Sequence, residues 1–147
     1  MEHSPSRLEM TAFHNAEKNI LIVEDVDDLR TLLQRKLSRR GYTVTTAANG
    51  GEALRLLEHE GLRPDLIITD VIMPTMNGKE LVERIRQHHP HVEVIYMSGY
   101  ADETIMPDGI LNTDIPFIQK PFGSDDLERT IQEVLRHSPA TITTRVT

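Results

Sequence analysis

The sequence contains no cysteine among its 147 residues. This absence excludes disulfide bonds, thiol nucleophiles and cysteine-ligated zinc, and it fits a reducing compartment. No apolar run approaches the roughly 18 residues that suggest a membrane-spanning helix. The first 17 residues also lack the basic and then apolar regions of a signal peptide. We therefore expect a cytoplasmic protein that makes no membrane contact.

An excess of positive charge is missing as well. The formal net charge is -7, and because nucleic-acid phosphates attract lysine and arginine, we expect no direct nucleic-acid binding. Hydrophobic residues make up 38% and charged residues 27% of the chain, a balance typical of a globular domain with a real core. We predict a flexible segment over residues 1–18, a folded domain over 19–137 and a flexible tail over 138–147. Since no second domain follows Arg136, we expect no DNA-binding or enzymatic output from this sequence.

Short apolar runs alternate with helical patterns along the chain. Five runs are predicted to be strands because they are short, apolar and rich in β-branched residues: Ile20–Val23, Tyr42–Ala47, Leu66–Thr69, Val92–Met97 and Ile115–Gln119. Strands that alternate with helices in this way favour an α/β fold with a doubly wound parallel sheet and helices on both faces. Right-handed crossovers then leave only a few topologies.

Capping residues delimit the predicted helices. We expect Asp27, Asn49 and Ser124 to act as N-caps of three helices. Asn77-Gly78 is predicted to form a turn before a further helix, and Gly41 to end the first helix. A helix within residues 101–114 is interrupted by a proline and a glycine in the sequence, which lower helix stability.

Charged residues follow three of the predicted strands. Glu24 and Asp25 follow the first strand, Asp70 the third and Lys120 the fifth. Residues just past the carboxyl ends of parallel strands meet in one crevice, so we expect these side chains to converge. Three close carboxylates require a cation or raised pKa values, and their oxygen ligands suit Mg²⁺. Lys120 would neutralise further charge, and Ser98 at the end of the fourth strand would add a hydroxyl donor.

Four motifs in this order resemble the receiver domains of two-component response regulators. They are Glu24-Asp25, the run Thr-Asp-Val-Ile-Met-Pro-Thr-Met-Asn-Gly over residues 69–78, Met97-Ser98-Gly99-Tyr100, and Lys120-Pro121-Phe122. The resemblance covers about residues 19–136, and it implies a flavodoxin-like fold of five parallel strands in the order 2-1-3-4-5.

The resemblance also implies roles for the acidic residues and the loop after Asp70. Asp70 would attack the phosphorus of a phosphohistidine and become an aspartyl phosphate. Asp25, Asp70 and the backbone carbonyl of Ile72 would ligate Mg²⁺, and Glu24 would act mostly through water. Glu24 stands where aspartate is frequent in the family, which lengthens the acid without removing it.

Three further residues gain roles from the same resemblance. Lys120 would pair with the phosphoryl group, and the Ser98 hydroxyl would bond another of its oxygens. Phe117 matches the family's switch aromatic, whose rotamer follows movement at Ser98. Ser98 replaces the more usual threonine, so its coupling to Phe117 is expected to be looser.

The implied protein is a signalling switch that promotes only its own phosphorylation and dephosphorylation, not an enzyme with a separate substrate. Its partners would be a histidine kinase or a histidine phosphotransfer protein, and a homodimer could form through the face of the fourth and fifth strands and their helices. Stand-alone receivers and receivers within hybrid sensor kinases both fit the sequence.

Other functional classes fit less well. An aspartyl-phosphate phosphatase of the haloacid dehalogenase type needs a second aspartate two residues after its nucleophile, where this sequence has Ile72. A flavin-binding protein needs a phosphate cradle after the first strand, where acidic residues would repel a phosphate. A pure scaffold would not need the combined acids, nucleophile and lysine.

Overall fold

A computed structural model describes residues 18–99 and 115–136. Its elements, in chain order, are β1 (Asn19–Val23), α1 (Asp27–Arg39), β2 (Thr43–Ala47), α2 (Gly50–His59), β3 (Leu66–Asp70), α3 (Gly78–Arg86), β4 (Glu93–Ser98), β5 (Phe117–Gln119) and α4 (Ser124–Arg136). The strands form one sheet in the order β2-β1-β3-β4-β5, and every neighbouring pair is parallel. The predicted flavodoxin-like topology is confirmed.

The central strands are buried on both faces. Leu21, Val23 and Ile67 contribute to one hydrophobic cluster, and Ile20 and Ile22 contribute to the other. Because both faces are covered, the apolar residues of β1 and β3 run continuously instead of alternating with polar ones. The continuous apolar runs that this burial requires are the signal by which the sequence predicts the central strands.

Within residues 18–99 and 115–136, two helices cover each face of the sheet. The first cluster is completed by residues of α2 and α3, such as Leu57 and Leu81. The second is completed by residues of α1 and α4, such as Leu37, Leu127 and Ile131. The prediction of helices on both faces is therefore confirmed.

Two predicted caps are wrong by one residue. Val26, not Asp27, is the N-cap of α1 and makes no side-chain capping hydrogen bond. Helix α4 begins at Ser124 itself, and the Gly123 oxygen accepts a hydrogen bond from the Leu127 amide at 3.1 Å. Asp27 and Ser124 are therefore in the first helical turn of their helices, where the helix dipole favours the acidic side chain of Asp27.

The other helix boundaries follow identifiable signals. Asn49 caps α2 as predicted, since its side chain accepts a hydrogen bond from the Glu52 amide at 2.8 Å. Asn77-Gly78 is not a free-standing turn: Asn77 caps α3 and forms a reciprocal capping box with Glu80. Helix α1 ends at Arg39 before Gly41, whose φ of 100° suits a glycine.

Strand β5 is shorter than predicted, because the sheet pairing begins at Phe117. The Lys120-Pro121 peptide bond is cis. The predicted flexible segments at both ends and the helix predicted within residues 101–114 fall outside the described residues, apart from Lys18. No helix in the described ranges is long and apolar enough to span a bilayer.

Candidate functional site

The carboxyl edge of the sheet carries the charged residues that the sequence singled out. Glu24 follows β1 directly, Asp70 is the last residue of β3, and Lys120 follows β5. The parallel register pairs Val23 with Thr69, so the ends of β1 and β3 are level. Strand pairing thus brings Glu24 and Lys120, which are 96 positions apart in the sequence, to one edge.

Lys120 joins the two buried acids. Its Nζ lies 2.6 Å from Asp70 Oδ1 and 2.9 Å from Glu24 Oε2. Asp70 is only 4% exposed and Glu24 is fully buried. The predicted convergence of Glu24, Asp70 and Lys120 is therefore present, with an ammonium between two carboxylates.

The acidic loop after β1 is tied back onto itself. Glu24 Oε1 accepts a hydrogen bond from the Val26 amide at 3.1 Å. The backbone carbonyl of Glu24 accepts a second from Arg30 Nη1 at 2.9 Å. Both oxygens of the Glu24 carboxylate are thus engaged, one by Val26 and the other by Lys120.

Burial and mutual contact separate the pKa values of the two acids. Burial raises the pKa of Asp70 to about 8, and the Glu24 carboxylate acts in the same direction, against the opposing effect of Lys120. Burial also acts to raise the pKa of Glu24, but the neighbouring Asp70 carboxyl, Lys120 and the Val26 amide outweigh it and leave that pKa lowered. Burial acts to lower the pKa of Lys120, but its contacts with Asp70 and Glu24 leave that pKa raised. The metal-free pocket therefore favours a proton on Asp70, an ionised Glu24 and a charged Lys120.

The site offers a ligand set that suits a divalent cation. Glu24, Asp25 and Asp70 each present a carboxylate oxygen, and these oxygens lie within 4.8 Å of one another. Asp70 Oδ2 is buried and has no hydrogen-bond partner in the described part of the chain. Hard carboxylate oxygens of this kind fit Mg²⁺, and the exposed Asp25 leaves room for coordinating water.

The remaining predicted site residues lie around this cluster. Ser98 ends β4 and is buried, and its backbone oxygen accepts a hydrogen bond from the Lys120 amide at 2.7 Å. Ile72 is 45% exposed in the loop after Asp70. Phe117 begins β5, pairs in register with Tyr96 and is 44% exposed.

The sequence interpretation missed two supports of the site. A Cβ atom on Gly78 would lie 2.2 Å from the backbone oxygen of Asp70, so the loop from Asp70 returns to contact its own start. The Gly78 amide also donates to the Val71 oxygen at 2.8 Å. The capping-box spacing from Asn77 to Glu80 was the available signal for this helix start. Arg30 carried no recognised signal, because its contact with Glu24 depends on the path of the loop.

An apolar groove opens next to the acidic cluster. It has a volume of about 600 Å³ and extends from Asp70 and Lys120 along α1 to the start of α4. Its apolar lining includes Val26, Leu29 and Phe122. The groove therefore places an exposed apolar surface beside the buried carboxylate of Asp70.

Comparison with known proteins agrees with this architecture. The family model described as "Response regulator receiver domain" matches residues 20–132. The sensor kinase CckA of Brucella abortus is 39% identical over 116 residues, which is 79% of this chain and 12% of that protein. The response regulator receiver protein CpdR of the same species is 35% identical over 118 residues, covering 80% of this chain and 97% of that protein.

Solved structures show the same relationship. The receiver domain of the hybrid histidine kinase CckA has a TM-score of 0.67 and 35% identity, covering 80% of this chain and 98% of that one. The response regulator TrrA of Thermotoga maritima, solved with Mg²⁺-BeF, has a TM-score of 0.68 and 30% identity, with the same coverage of each chain. The chain belongs to the family of response regulator receiver domains of two-component signalling.

Proposed function

We propose that Asp70 is the phosphoacceptor of a two-component relay. An oxygen of its ionised carboxylate attacks the phosphorus of a phosphohistidine on a partner protein. The phosphorus–nitrogen bond breaks, its electron pair stays on the imidazole nitrogen, and an aspartyl phosphate forms. The proton favoured on Asp70 in the metal-free pocket passes to solvent before the attack, and the departing imidazole takes up a proton from solvent and leaves as neutral imidazole.

One observation carries this proposal. Lys120 contacts one oxygen of Asp70, while the other oxygen is buried and has no hydrogen-bond partner among the described residues. A fully buried structural acid would be expected to satisfy both oxygens. An acid that accepts a phosphoryl group instead needs one oxygen held and charge-balanced and another left for the incoming group.

The surrounding residues supply positioning and charge. Asp25, Asp70 and the Ile72 carbonyl would hold Mg²⁺, with Glu24 acting through water because both of its carboxylate oxygens are already engaged. When bound, the ion would supply positive charge that favours the ionised carboxylate and offsets phosphoryl charge. Lys120 would grip a phosphoryl oxygen.

The same event would act as a switch. Phosphorylation adds up to two negative charges next to Ser98, whose hydroxyl would bond a phosphoryl oxygen. Movement of Ser98 would change the position of Phe117, which is already partly exposed on the neighbouring strand. The chain would then change its partner affinity and convert no metabolite, so we do not class it as an enzyme.

We assign the apolar groove to the phosphodonor. An amphipathic helix that carries a phosphohistidine could place apolar residues against Val26 and Leu29 while the imidazole reaches Asp70. The donor would be a histidine kinase or a histidine phosphotransfer protein. The similarity to CckA and to CpdR supports this chemistry whether the receiver stands alone or belongs to a hybrid kinase.

Mass spectrometry of the intact protein tests the proposal. Incubation with phosphoramidate and Mg²⁺ should add one phosphoryl group, and chelation of the metal should prevent the addition. Asp70→Asn should remain unmodified, whereas the matched variant Asp65→Asn, at the opposite end of β3, should be modified normally. Labelling of Asp70→Asn at the wild-type level would refute the assignment.

A further inference from the structure

The loop between β1 and α1 carries Asp25, the most exposed acid of the proposed cation site. Asp25 lies beyond the end of β1, so the sheet does not hold it directly. Its neighbours are nevertheless tethered: Glu24 is fully buried, and the Val26 amide donates to the Glu24 side chain. The position of Asp25 therefore depends on how firmly this loop is held.

Arg30 supplies two of the contacts that hold it. Its Nη1 donates to the backbone oxygen of Glu24 at 2.9 Å, and its Nη2 donates to Asp27 Oδ1 at 2.5 Å. One planar guanidinium thus contacts the chain on both sides of Asp25. The arginine side chain is only 20% exposed, so these hydrogen bonds are partly shielded from water.

We propose that Arg30 is a positioning residue for the acidic site, which acts by holding the loop so that Asp25 faces Asp70. This inference rests on the proposed function, because it concerns the cation that Asp25 and Asp70 would share. Residues that orient metal ligands contribute to affinity without touching the metal, since the ligands then lose less freedom on binding. Arg30 acts here through the backbone of the loop.

A purely structural role predicts a different result. An Arg30–Asp27 pair three residues apart on a helix contributes little to helix stability. The hydrogen bond from Arg30 to the Glu24 carbonyl does not stabilise the helix in this way, because it joins α1 to the residue that follows β1. Charge gives a second distinction: loss of a nearby positive charge would by itself strengthen cation binding. If removal of Arg30 weakens Mg²⁺ binding, the change is opposite to the one expected from the lost charge, and loss of positioning accounts for it.

The dissociation constant of Mg²⁺ tests this inference directly. It can be measured by following the amide signals of residues 24–26 in NMR titrations with Mg²⁺ alone, at a temperature well below unfolding. Arg30→Ala should weaken Mg²⁺ binding about tenfold. Arg30→Lys should fall between Arg30→Ala and wild type, because one ammonium cannot span both acceptors. The control Arg35→Ala, an exposed arginine of the same helix, should bind as wild type does.

A second readout separates positioning from chemistry. The rate of phosphoryl uptake by Arg30→Ala should be low at limiting Mg²⁺ and should return to near the wild-type rate at saturating Mg²⁺. Unchanged or tighter Mg²⁺ binding by Arg30→Ala, even with a lower melting temperature, would overturn the inference. If Arg30→Ala does not fold, Arg30→Lys and Asp27→Asn decide the matter, and wild-type Mg²⁺ affinity in both would overturn it. Failure of the unmodified protein to bind Mg²⁺ would instead overturn the proposed function.

Discussion

The side chain of Asp70 is almost completely removed from solvent, yet among the described residues a cationic group contacts only one of its oxygens. Burial without full compensation is costly for an ionised carboxylate, and the pKa of about 8 expresses that cost. Glu24 is more deeply buried but better satisfied, because Val26 and Lys120 hydrogen-bond to its two oxygens. The two acids would therefore have distinct tasks in the proposed function: Glu24 would hold Lys120, and Asp70 would offer the oxygen that accepts the phosphoryl group.

The raised pKa of Asp70 gives a pH-dependent stability in metal-free protein. Unfolded Asp70 releases its proton near pH 4, whereas the folded residue keeps it until about pH 8, so this contribution to stability is present at low pH and lost as the pH rises through 8. Glu24 and Lys120 stay charged between pH 6 and 9, because the pKa of Glu24 is lowered and that of Lys120 is raised. Asp70→Asn removes the titrating group. With chelator present, the wild type should lose about 2 kcal/mol relative to Asp70→Asn between pH 6 and 9.

Urea unfolding at the two pH values measures this difference. Asp65→Asn serves as a control, since Asp65 lies at the other edge of the sheet. Parallel pH profiles for the wild type and Asp70→Asn would show that Asp70 does not hold a proton in the folded state.

At the scale of elements, the loop from Asp70 to α3 is held at both ends. Its start is the last residue of a buried strand, and its end is the capped beginning of a helix. Gly78 brings the two ends into direct backbone contact. The loop that carries the Ile72 carbonyl is therefore short and closed, and a change at the helix start should be felt at Asp70.

Gly78→Ala tests that closure. The added Cβ would overlap the Asp70 backbone oxygen, which cannot rotate away as a side chain could, so we expect a loss of about 1–3 kcal/mol in stability. Phosphoryl uptake should fall as well, because the carboxylate is displaced. Gly51→Ala is the control: its Cβ would meet only the Asn49 side chain at 3.4 Å, and α2 should gain up to about 1 kcal/mol. Chemical denaturation and mass spectrometry measure both effects, and normal uptake by Gly78→Ala would contradict the expectation.

The two asparagine caps allow a comparison of matched variants. Asn49 and Asn77 each accept a hydrogen bond from the third helical residue at 2.8 Å. Asn49→Ala and Asn77→Ala should each cost about 1 kcal/mol. Only Asn77→Ala should slow phosphoryl uptake, because only this cap closes the loop that follows Asp70. Equal rates of phosphoryl uptake in the two variants would show that the Asn77 cap does not affect the loop that follows Asp70.

At the scale of the whole molecule, the proposed cation site exists only when β1 and β3 lie side by side. Mg²⁺ should therefore bind the folded chain and not the unfolded one. At about 100 times its dissociation constant it should raise the free energy of unfolding by about 2.7 kcal/mol. Asp25→Asn should lose most of this increase, whereas Glu58→Gln, on the exposed side of α2, should retain it. Unfolding curves with and without Mg²⁺ supply the measurement, and an equal increase in all three proteins would place the ion elsewhere.

The sequence was sufficient for the parallel α/β fold class and for the main members of the site, because both follow from the strands and their ends. The strand order 2-1-3-4-5 was implied by the resemblance to receiver domains. Parallel strands buried on two faces leave continuous apolar runs, and residues that follow such runs must meet at one edge. The proximity of Asp70 and Lys120 could therefore be predicted from the sequence. Hydrophobic periodicity does not encode the path of a loop, so the reach of Arg30 and the close approach of Gly78 escaped prediction. The cap at Asp27 was misplaced because an acidic residue also suits the first helical turn. The cap at Ser124 was misplaced by one residue, because α4 begins at Ser124 itself.

Lys120 follows β5, the shortest of the described strands, whose three residues form one edge of the sheet. Its ammonium nevertheless reaches past β4 to Asp70 at the end of β3 and to Glu24, which follows β1. These two ion pairs therefore attach the short edge strand β5 to the central strands of the sheet. If β5 separated from β4, Lys120 would move away and leave Glu24 and Asp70 buried without a positive charge beside them. This cost opposes the opening of β5. We therefore expect amide hydrogen exchange at Ile118, in the middle of β5, to become faster when the ion pairs of Lys120 with Glu24 and Asp70 are lost.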